Sequence, residues 1–233
     1  MTRWLRPASA ERKSANWYTE QFYREIVRLL DDAAGLRCEH VVAELGCDLG
    51  LLARHLEGRC RLVLVDLSDE RKTPEAKRCE FHQGSAEAIP LAASSIDLLL
   101  LISVYHHLSD FDRFTSESAR VLKPGGLLAL VEPVKHHPTI MLLNALAALV
   151  HRRDSNLREP YGLALGINER FIVQRLSASY RLTCTSRLDN FLWGMNPFLP
   201  RPVLKGYAIA QRMIRFENAR LYLFRKLPAE AVG

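Results

Sequence analysis

Two acids and two glycines follow a short apolar run in the stretch VVAELGCDLG, residues 41–50. Glycine lets a ligand approach the backbone, and a turn from a strand into a helix is a common place for that contact. A dinucleotide-binding turn would read Gly-x-Gly-x-x-Gly and accept a pyrophosphate. Here Asp48 stands at the middle glycine position, and Glu44 precedes Gly46. Because two carboxylates repel a diphosphate, the stretch favours a ligand that carries positive charge and hydroxyl groups.

Polar residues also follow the later apolar runs. Asp66 ends the second run, residues 85–87 follow the third, His106 and His107 follow the fourth, and Glu132 ends the fifth. If these runs are parallel strands, their carboxyl ends meet at one edge of a sheet, where ligands bind in open α/β folds. The pattern therefore predicts one site at this edge.

The elements that would position these residues alternate along the chain. Continuous apolar strands separated by helices predict an α/β fold with a mostly parallel sheet, helices on both faces and an antiparallel edge strand. The predicted strands are 40–45, 61–67, 79–84, 96–103, 127–133, 181–188 and 219–226. The predicted helices are 16–34 (ended by Gly35), 49–57, a short helix or turn at 69–77, 110–122, 138–151, 167–180 (with Asn168 as N-cap) and 201–216.

The composition is that of a globular protein with a substantial core: 233 residues, 48% of them hydrophobic. The 5 cysteines have irregular spacing, which predicts free thiols in a reducing compartment such as the cytoplasm. The first residues contain no apolar signal segment. The longest apolar stretch, 140–150, is too short to be a transmembrane segment, which needs about 20 residues.

Charge is distributed unevenly along the chain. Residues 1–133 contain 17 Lys and Arg against 20 Asp and Glu, whereas residues 134–233 contain 15 against 6. The basic part could meet an anionic substrate, a membrane surface or nucleic acid. The favoured interpretation is an ordinary arginine-rich surface, since no aromatic-basic motif accompanies it.

Four stretches, in order, resemble the class I S-adenosylmethionine-dependent methyltransferases, in the type 11 group. They are AELGCDLG, LVLVDLS, QGSAEAIPLAASSIDLLLL and HHLSDFDRFTSESARVLKPGGLLALVEP, which together span about residues 41–133. The resemblance implies a Rossmann-like sheet of seven strands with lid insertions. It also implies one methyltransferase domain over 1–233, with an N-terminal helical cap (1–40), a cofactor-binding core (41–133) and a substrate-side half (134–233).

The same resemblance implies S-adenosylmethionine as cofactor, S-adenosylhomocysteine as product, and no metal. Glu44 would help to hold the cofactor ammonium, and Asp66 would accept both ribose hydroxyls. Leu67 would pack on the adenine face. The remaining cofactor contacts would come from Gly46, Cys47, Asp48 and Gly50 at the methionine part, Ser85, Ala86 and Glu87 at the adenine edge, Leu101 to Ser103 on the methionine side, and Tyr18 as a cover.

Some of these residues have structural alternatives. Asp66 could simply cap the following turn, and Glu87 could be a solvated acid at a helix start. Two positions depart from the common family pattern: Asp48 replaces a glycine, and Ser85 stands where an aspartate often meets the adenine amine.

Methyl transfer needs the acceptor to be positioned, and it needs a general base when the acceptor must lose a proton. His106 and His107 are the candidate bases, and His136 and His137 follow the fifth strand. The two pairs could also share a metal, or the motif could only pack and form hydrogen bonds.

The predicted reaction is methylation of oxygen, nitrogen or carbon on a small hydrophobic or natural-product-like acceptor, as in biosynthesis. Apolar segments within 134–166 and 189–217 would form a lid over it, with Arg152, Arg153 and Arg158 near an anionic group; they could instead be ordinary core. Nucleic acid is the less favoured partner, and a homodimer stays open. The alternatives are a catalytically silent interaction partner with this fold and an RNA methyltransferase.

Overall fold

The computed structural model describes residues 17–134, 168–188, 206 and 219–228, with side chains from Glu20 onward. Several predictions lie outside these residues: the side chain of Tyr18, the helix at 138–151, all of the helix at 201–216 except residue 206, most of the two lid segments, and the side chains of His136, His137, Arg152, Arg153 and Arg158. Of the helices in the described part, none combines the length and apolar character that crossing a bilayer requires.

Helices and strands alternate through the first half of the chain. The helices are α1 Trp17–Ala34, α2 Ala53–Leu56, α3 Pro74–Arg78, α4 Phe111–Val121 and α5 Glu169–Leu176, with a 3-10 turn at Tyr105–His107. The strands are β1 Val41–Leu45, β2 Arg61–Asp66, β3 Glu80–Gln83, β4 Ile96–Ile102, β5 Leu122–Pro133, β6 Tyr180–Leu188 and β7 Ala219–Lys226.

The described strands form one seven-stranded sheet in the order β3-β2-β1-β4-β5-β7-β6. Strands β1 to β5 pair in parallel, and β7 pairs antiparallel with both β5 and β6. The predicted mostly parallel, seven-stranded sheet is therefore confirmed. Its antiparallel strand lies next to the edge strand β6. The carboxyl ends of β1, β2, β4 and β5 meet at one edge, which is where the acids and histidines of the sequence fall.

Alternate residues of the strands face two separate hydrophobic cores. In β4, Leu98 and Leu100 join the core formed with α1 and α2, whereas Leu99 and Leu101 join the core formed with α4 and α5. Because both faces are covered, the central strands contain long apolar runs, such as 98–102 in β4. The predicted helices on both faces are confirmed.

Helix ends follow local capping chemistry. Gly35, with φ of 58°, ends α1 as predicted. Thr73 and Asp110 cap α3 and α4 by accepting amide hydrogen bonds from Ala76 and Arg113. The predicted N-cap Asn168 is confirmed, since its side chain accepts from the Arg170 amide at 2.9 Å.

Several predicted boundaries differ from the structure. The helix predicted over 49–57 is confined to α2, because the positive φ values of Asp48 (46°) and Gly50 (70°) do not fit a helix. The helix predicted over 167–180 ends at Leu176. Tyr180 instead begins β6, and its buried hydroxyl donates to Ser118 Oγ at 2.8 Å.

The fifth strand also starts earlier than predicted. Leu122 already pairs with Ile96, and a register shift follows before Leu98 pairs with Leu127. The Pro-Gly-Gly sequence therefore lies at an irregularity within β5, with Gly125 at a φ of 73°.

Candidate functional site

The turn after β1 is shaped by two glycines that have local structural reasons. Gly46 has a φ of 74°, and a Cβ there would lie 2.4 Å from Val104 Cγ2. Gly50 has a φ of 70°, and a Cβ there would lie 2.3 Å from Ala76 Cβ. The Gly46 amide donates to Val65 O at 2.8 Å, which holds the turn against β2. Because neither glycine has a Cβ, the turn can pack closely against Val104 and Ala76.

Asp48 occupies the middle glycine position without distorting the turn. Its φ of 46° lies in the left-handed region, which aspartate tolerates better than most residues. Its amide donates to Asp66 Oδ2 at 2.8 Å. The departure from glycine at this position is therefore accommodated by the backbone.

Asp66 has a fixed carboxylate at the end of β2. Oδ2 accepts from the Asp48 amide, and Oδ1 accepts from the Leu67 amide at 2.7 Å. The capping alternative is therefore part of its role. A carboxylate has about four acceptor sites, so each oxygen retains capacity for one more donor. Two oxygens aligned in this way fit a pair of neighbouring hydroxyl groups.

Glu44 is a buried acid at the end of β1. It is 3% exposed, and its Oε2 atom has no hydrogen-bond partner among the described residues. Burial raises the pKa of Glu44 well above its ordinary value, and the nearby carboxylates of Asp66 and Asp48 raise it further. A cationic donor such as an ammonium group would relieve both the burial cost and the repulsion. The residues present therefore fit the amino group of S-adenosylmethionine.

Helix α1 covers this acidic cluster with a residue that the sequence did not single out. Burial raises the pKa of Tyr23, and the charges of Glu44, Asp48 and Cys47 raise it further. The ring also stacks on His55, with centroids 6.0 Å apart. The helical spacing of apolar residues in α1 could have indicated that Tyr23 is buried. It could not have indicated that Tyr23 lies near the acids after β1.

One ion pair and one approach to a histidine link α1 to α2. Glu20 accepts from Arg54 Nη1 at 2.6 Å and lies 3.3 Å from His55 Nε2. Cys47, in the turn below, is buried, and burial raises the pKa of its thiol. The thiol is thus held in its neutral form and is a poor nucleophile.

Leu67 lies on the surface beside the Asp66 carboxylate. It is 70% exposed, which is unusual for a large apolar side chain immediately after a buried strand. Its carbonyl accepts from Gln83 Nε2 at 2.9 Å. An exposed apolar surface next to aligned hydroxyl acceptors fits a flat nucleobase attached to a sugar.

The loop after β3 carries the predicted adenine-edge residues. Ser85 forms an isolated bridge with Ala88, and its Oγ accepts from the Glu87 amide at 3.1 Å. The Glu87 carboxylate reaches the start of α4, where it accepts from the Ser109 hydroxyl at 2.8 Å and the Asp110 amide at 2.9 Å. Burial raises the pKa of Glu87, but these hydrogen bonds outweigh it and the net shift is downward. Its carboxylate thus joins two loops, while an adenine contact by this loop stays a prediction.

The end of β4 lies at the same edge of the sheet. Leu101 is fully buried in the core on the α4 side. Ser103 has a positive φ of 55°, and its amide donates to Val131 O at 2.7 Å. Ser103 Oγ is buried and lacks a partner within the described residues. Of the two, Ser103 is thus the residue with an available polar group.

The two candidate bases lie in the 3-10 turn after β4, in different surroundings. His106 is buried, and its Nδ1 lies 2.6 Å from Glu132 Oε2. His107 is exposed, with its ring centroid 4.0 Å from that of His106. Glu132 was noted in the sequence only as an acid at a strand end. Its pairing with His106 distinguishes two histidines that the sequence could not separate.

Other parts of the described surface do not add to this site. A cavity of about 320 Å³ lies at the opposite edge of the sheet, near the starts of β2 and β3, and includes Cys60 and Cys79. Within residues 17–134, 168–188 and 219–228, no three His, Cys, Asp or Glu side chains come together in a way that could hold a metal ion.

Comparison with known proteins agrees with this arrangement. Residues 43–130 match the profile of a family described as "Methyltransferase domain". The chain is 28% identical over 149 residues to the uncharacterized methyltransferase YcgJ of Bacillus subtilis, an alignment that covers 58% of this chain and 59% of that protein. It is 31% identical over 125 residues to a fatty-acid O-methyltransferase of Mycolicibacterium smegmatis, covering 50% of this chain and 44% of that protein.

The fold is also found in solved structures. The crystal structure of YcgJ superposes with a TM-score of 0.59 at 20% identity, covering 87% of this chain and 98% of that one. The sequence alignments with the curated relatives span about half of those proteins' lengths, 59% for YcgJ and 44% for the fatty-acid O-methyltransferase. The matched region contains the β1 turn, Asp66, Leu67 and the loop after β3. The predicted resemblance to the class I S-adenosylmethionine-dependent methyltransferases, in the type 11 group, is therefore confirmed over residues 43–130.

Proposed function

We propose that this protein transfers a methyl group from S-adenosylmethionine to a small hydrophobic acceptor. The main observation behind the proposal is that two carboxylates with different surroundings lie at the same edge of the sheet. Glu44 is buried with an unpartnered oxygen, which suits a cation. Asp66 is held by two backbone amides, which suits a sugar diol. S-adenosylmethionine contains both groups.

The chain's own residues would bind and orient the cofactor. Asp66 needs no reorientation to accept hydroxyls, because the Asp48 and Leu67 amides already fix its plane. The negative cluster of Glu44, Asp48 and Asp66 attracts a cationic ligand. When bound, the cofactor supplies an electrophilic methyl group on a positively charged sulfur.

Support for a hydrophobic acceptor comes from two sources. The relative from Mycolicibacterium smegmatis is named for methylation of fatty acids. The segment 138–150, which follows the predicted cofactor-binding core in sequence, is almost entirely apolar. We also propose a reducing, cytoplasmic setting, with which the five free cysteines are compatible. Biosynthesis of a small molecule is the corresponding biological role.

Isothermal titration calorimetry tests the first part of this proposal. We expect S-adenosylhomocysteine to bind with one site per chain and NAD, which brings a diphosphate to the same edge, not to bind. Lack of heat with S-adenosylhomocysteine would contradict the proposal. Transfer of a labelled methyl group to fatty-acid and phenol probes tests the second part. Tight cofactor binding without turnover on any acceptor would favour the catalytically silent alternative.

A further inference from the structure

Arg71 is a largely buried arginine in the segment between β2 and α3. Its side chain is 12% exposed. The Nε and Nη2 atoms donate to the two carboxylate oxygens of Asp69, each at 2.8 Å, and these bonds lower the pKa of Asp69 to about 2. A guanidinium that spans both oxygens of a carboxylate has a fixed plane and direction. Arg71 and Asp69 therefore form an oriented ion pair at neutral pH.

The third nitrogen of the guanidinium reaches the end of α3. Arg71 Nη1 donates to the carbonyls of Ala76 at 2.8 Å and Cys79 at 3.0 Å. Carbonyls at the C-terminal end of a helix lack helical partners, and a basic side chain is a favourable donor to them. Arg71 thus joins its own segment to α3.

The face and the stem of Arg71 contact two more parts of the fold. The guanidinium carbon lies 4.5 Å from the ring centroid of Phe81 in β3, which is a distance typical of a cation–π contact. The stem lies beside the turn after β1, since a Cβ at Gly50 would lie 3.7 Å from Arg71 Cγ. One side chain therefore connects the segment after β2 to α3, to β3 and to the β1 turn.

The segment that Arg71 holds carries the predicted nucleoside contacts. We call residues 67–72 the nucleoside loop. It directly follows Asp66, whose carboxylate fits the ribose hydroxyls. Its first residue is Leu67, whose side chain is 70% exposed and fits the adenine face. The position of this loop therefore decides where the sugar and the base can bind.

Both ends of the nucleoside loop are tied to neighbouring elements. Gln83 Nε2 donates to Leu67 O at 2.9 Å, and the Lys72 amide donates to Leu49 O at 3.0 Å. The ion pair described above holds the middle of the loop. An exposed loop is usually mobile, and ordering it on binding costs free energy. Contacts that order the loop beforehand reduce that cost.

We infer that Arg71 is a positioning residue for the cofactor, because its contacts preorganise the nucleoside loop and so fix Asp66 and Leu67 for the ribose and the adenine. The inference rests on the proposed function, which assigns S-adenosylmethionine to this edge of the sheet. Arg71 acts through the loop and makes no contact with the ligand itself. Binding of the nucleoside part should therefore depend on Arg71, whereas the ammonium contact of Glu44 should not.

Calorimetric titration with two ligands tests where Arg71 acts. S-adenosylhomocysteine contains the nucleoside and the amino-acid group, whereas 5′-methylthioadenosine contains the nucleoside without the amino-acid group. Arg71→Ala should weaken the binding of both ligands by the same factor, about 5- to 30-fold. Glu44→Gln should weaken only S-adenosylhomocysteine. A change of less than about twofold for either ligand in Arg71→Ala overturns the inference.

A more conservative substitution tests the forked geometry. Arg71→Lys keeps the charge, but one ammonium group cannot span both Asp69 oxygens and also reach the α3 carbonyls. It should weaken both ligands by a smaller factor than Arg71→Ala does. Full affinity in Arg71→Lys overturns the inference. Should Arg71→Ala not fold, Arg71→Lys and Asp69→Asn decide, and full affinity in both has the same meaning.

A double-mutant cycle tests whether Arg71 acts through Leu67. If it does, Leu67→Ala has a smaller effect once the loop is no longer held. The variant with both substitutions should then bind S-adenosylhomocysteine more tightly than the product of the two separate factors predicts. Combining Arg71→Ala with Glu44→Gln should give the simple product. Factors that multiply for Arg71 and Leu67 as well would overturn the inference.

Tyr180→Phe is a matched control for loss of stability alone. It removes the buried hydrogen bond from the Tyr180 hydroxyl to Ser118 Oγ, 2.8 Å long, at the start of the edge strand β6. The variant should unfold at a lower urea concentration than the unmodified protein but bind both ligands normally. Weaker binding by Tyr180→Phe would show that affinity follows overall stability, and would overturn the role of Arg71.

The unmodified protein separates the two possible failures. If it binds neither S-adenosylhomocysteine nor 5′-methylthioadenosine, the proposed function fails. If it binds both and Arg71→Ala binds them equally well, the proposed function stands and only the role of Arg71 fails.

Discussion

Replacing Glu44 with glutamine should change stability and cofactor binding in opposite directions. Glu44 is 3% exposed, and its Oε2 has no partner in the described part of the chain. Burial, followed by the charges of Asp66 and Asp48, raises the pKa of Glu44. Glutamine keeps the shape of the side chain and removes its ionisation.

The sign of the stability effect follows from this raised pKa. An acid whose pKa is higher in the folded than in the unfolded chain favours folding below its unfolded pKa of about 4.3. That contribution is lost as the pH rises through the folded-state pKa. The variant does not undergo this loss. We therefore expect it to be more stable than the unmodified protein at pH 8 by at least about 1 kcal/mol, since one unit of pKa difference between the folded and the unfolded chain corresponds to about 1.4 kcal/mol. The difference should narrow toward about pH 5.

The effect on binding has the other sign. A hydrogen bond between a carboxylate and an ammonium group contributes about 1.5–3 kcal/mol. Its loss corresponds to roughly 10- to 150-fold weaker binding of S-adenosylhomocysteine. The Glu44 variant should therefore be a more stable protein with a poorer cofactor site.

Urea unfolding at two pH values and calorimetric titration with S-adenosylhomocysteine measure the two effects. Glu117→Gln is a control of opposite sign, because the hydrogen bond from Arg120 lowers the pKa of Glu117. The Glu117 carboxylate stabilises the folded chain above its unfolded pKa, and this stabilisation is lost as the pH falls. The Glu117→Gln control should therefore be less stable than the unmodified protein at pH 8 by up to about 1 kcal/mol, with unchanged cofactor affinity. A Glu44 variant that is less stable at pH 8 and binds the cofactor normally would refute the reasoning.

Three further substitutions test separate parts of the site. Leu67→Ala should change stability by less than about 0.5 kcal/mol, because the side chain is 70% exposed, yet weaken S-adenosylhomocysteine binding about 5- to 30-fold in calorimetry; equal affinity would remove Leu67 from the adenine face. Asp48→Asn should unfold in urea like the unmodified protein, whereas Asp48→Ala should lose about 1 kcal/mol in the left-handed backbone; equal stability of the two would contradict the backbone argument. Gly46→Ala should lose more than about 2 kcal/mol, since its Cβ would meet Val104 at 2.4 Å, while Gly125→Ala, with nothing within 4 Å, should lose only about 1 kcal/mol; similar losses in thermal or urea unfolding would argue against close packing at Gly46.

Local patterns were sufficient to predict the sheet and the order of its strands in sequence. Apolar runs such as that of β4 alternate with helices, and a parallel sheet covered on both faces is the arrangement that buries them. Boundaries were predicted less well where tertiary contacts prevail over propensity. Tyr180 continues a helical pattern in sequence, but its buried bond to Ser118 and its pairing with Lys226 place it in a strand.

By itself, the sequence determined the fold class, the placement of acids at strand ends and the family resemblance, because these depend on residue type and short spacing. Only the tertiary structure decided what each side chain does. Asp66 is aligned by an amide 18 residues away, and His106 is oriented by Glu132, 26 residues away. Burial separates Glu44 from Asp48 and Asp66. Such partners and burial arise when distant segments pack together, and no local pattern contains them.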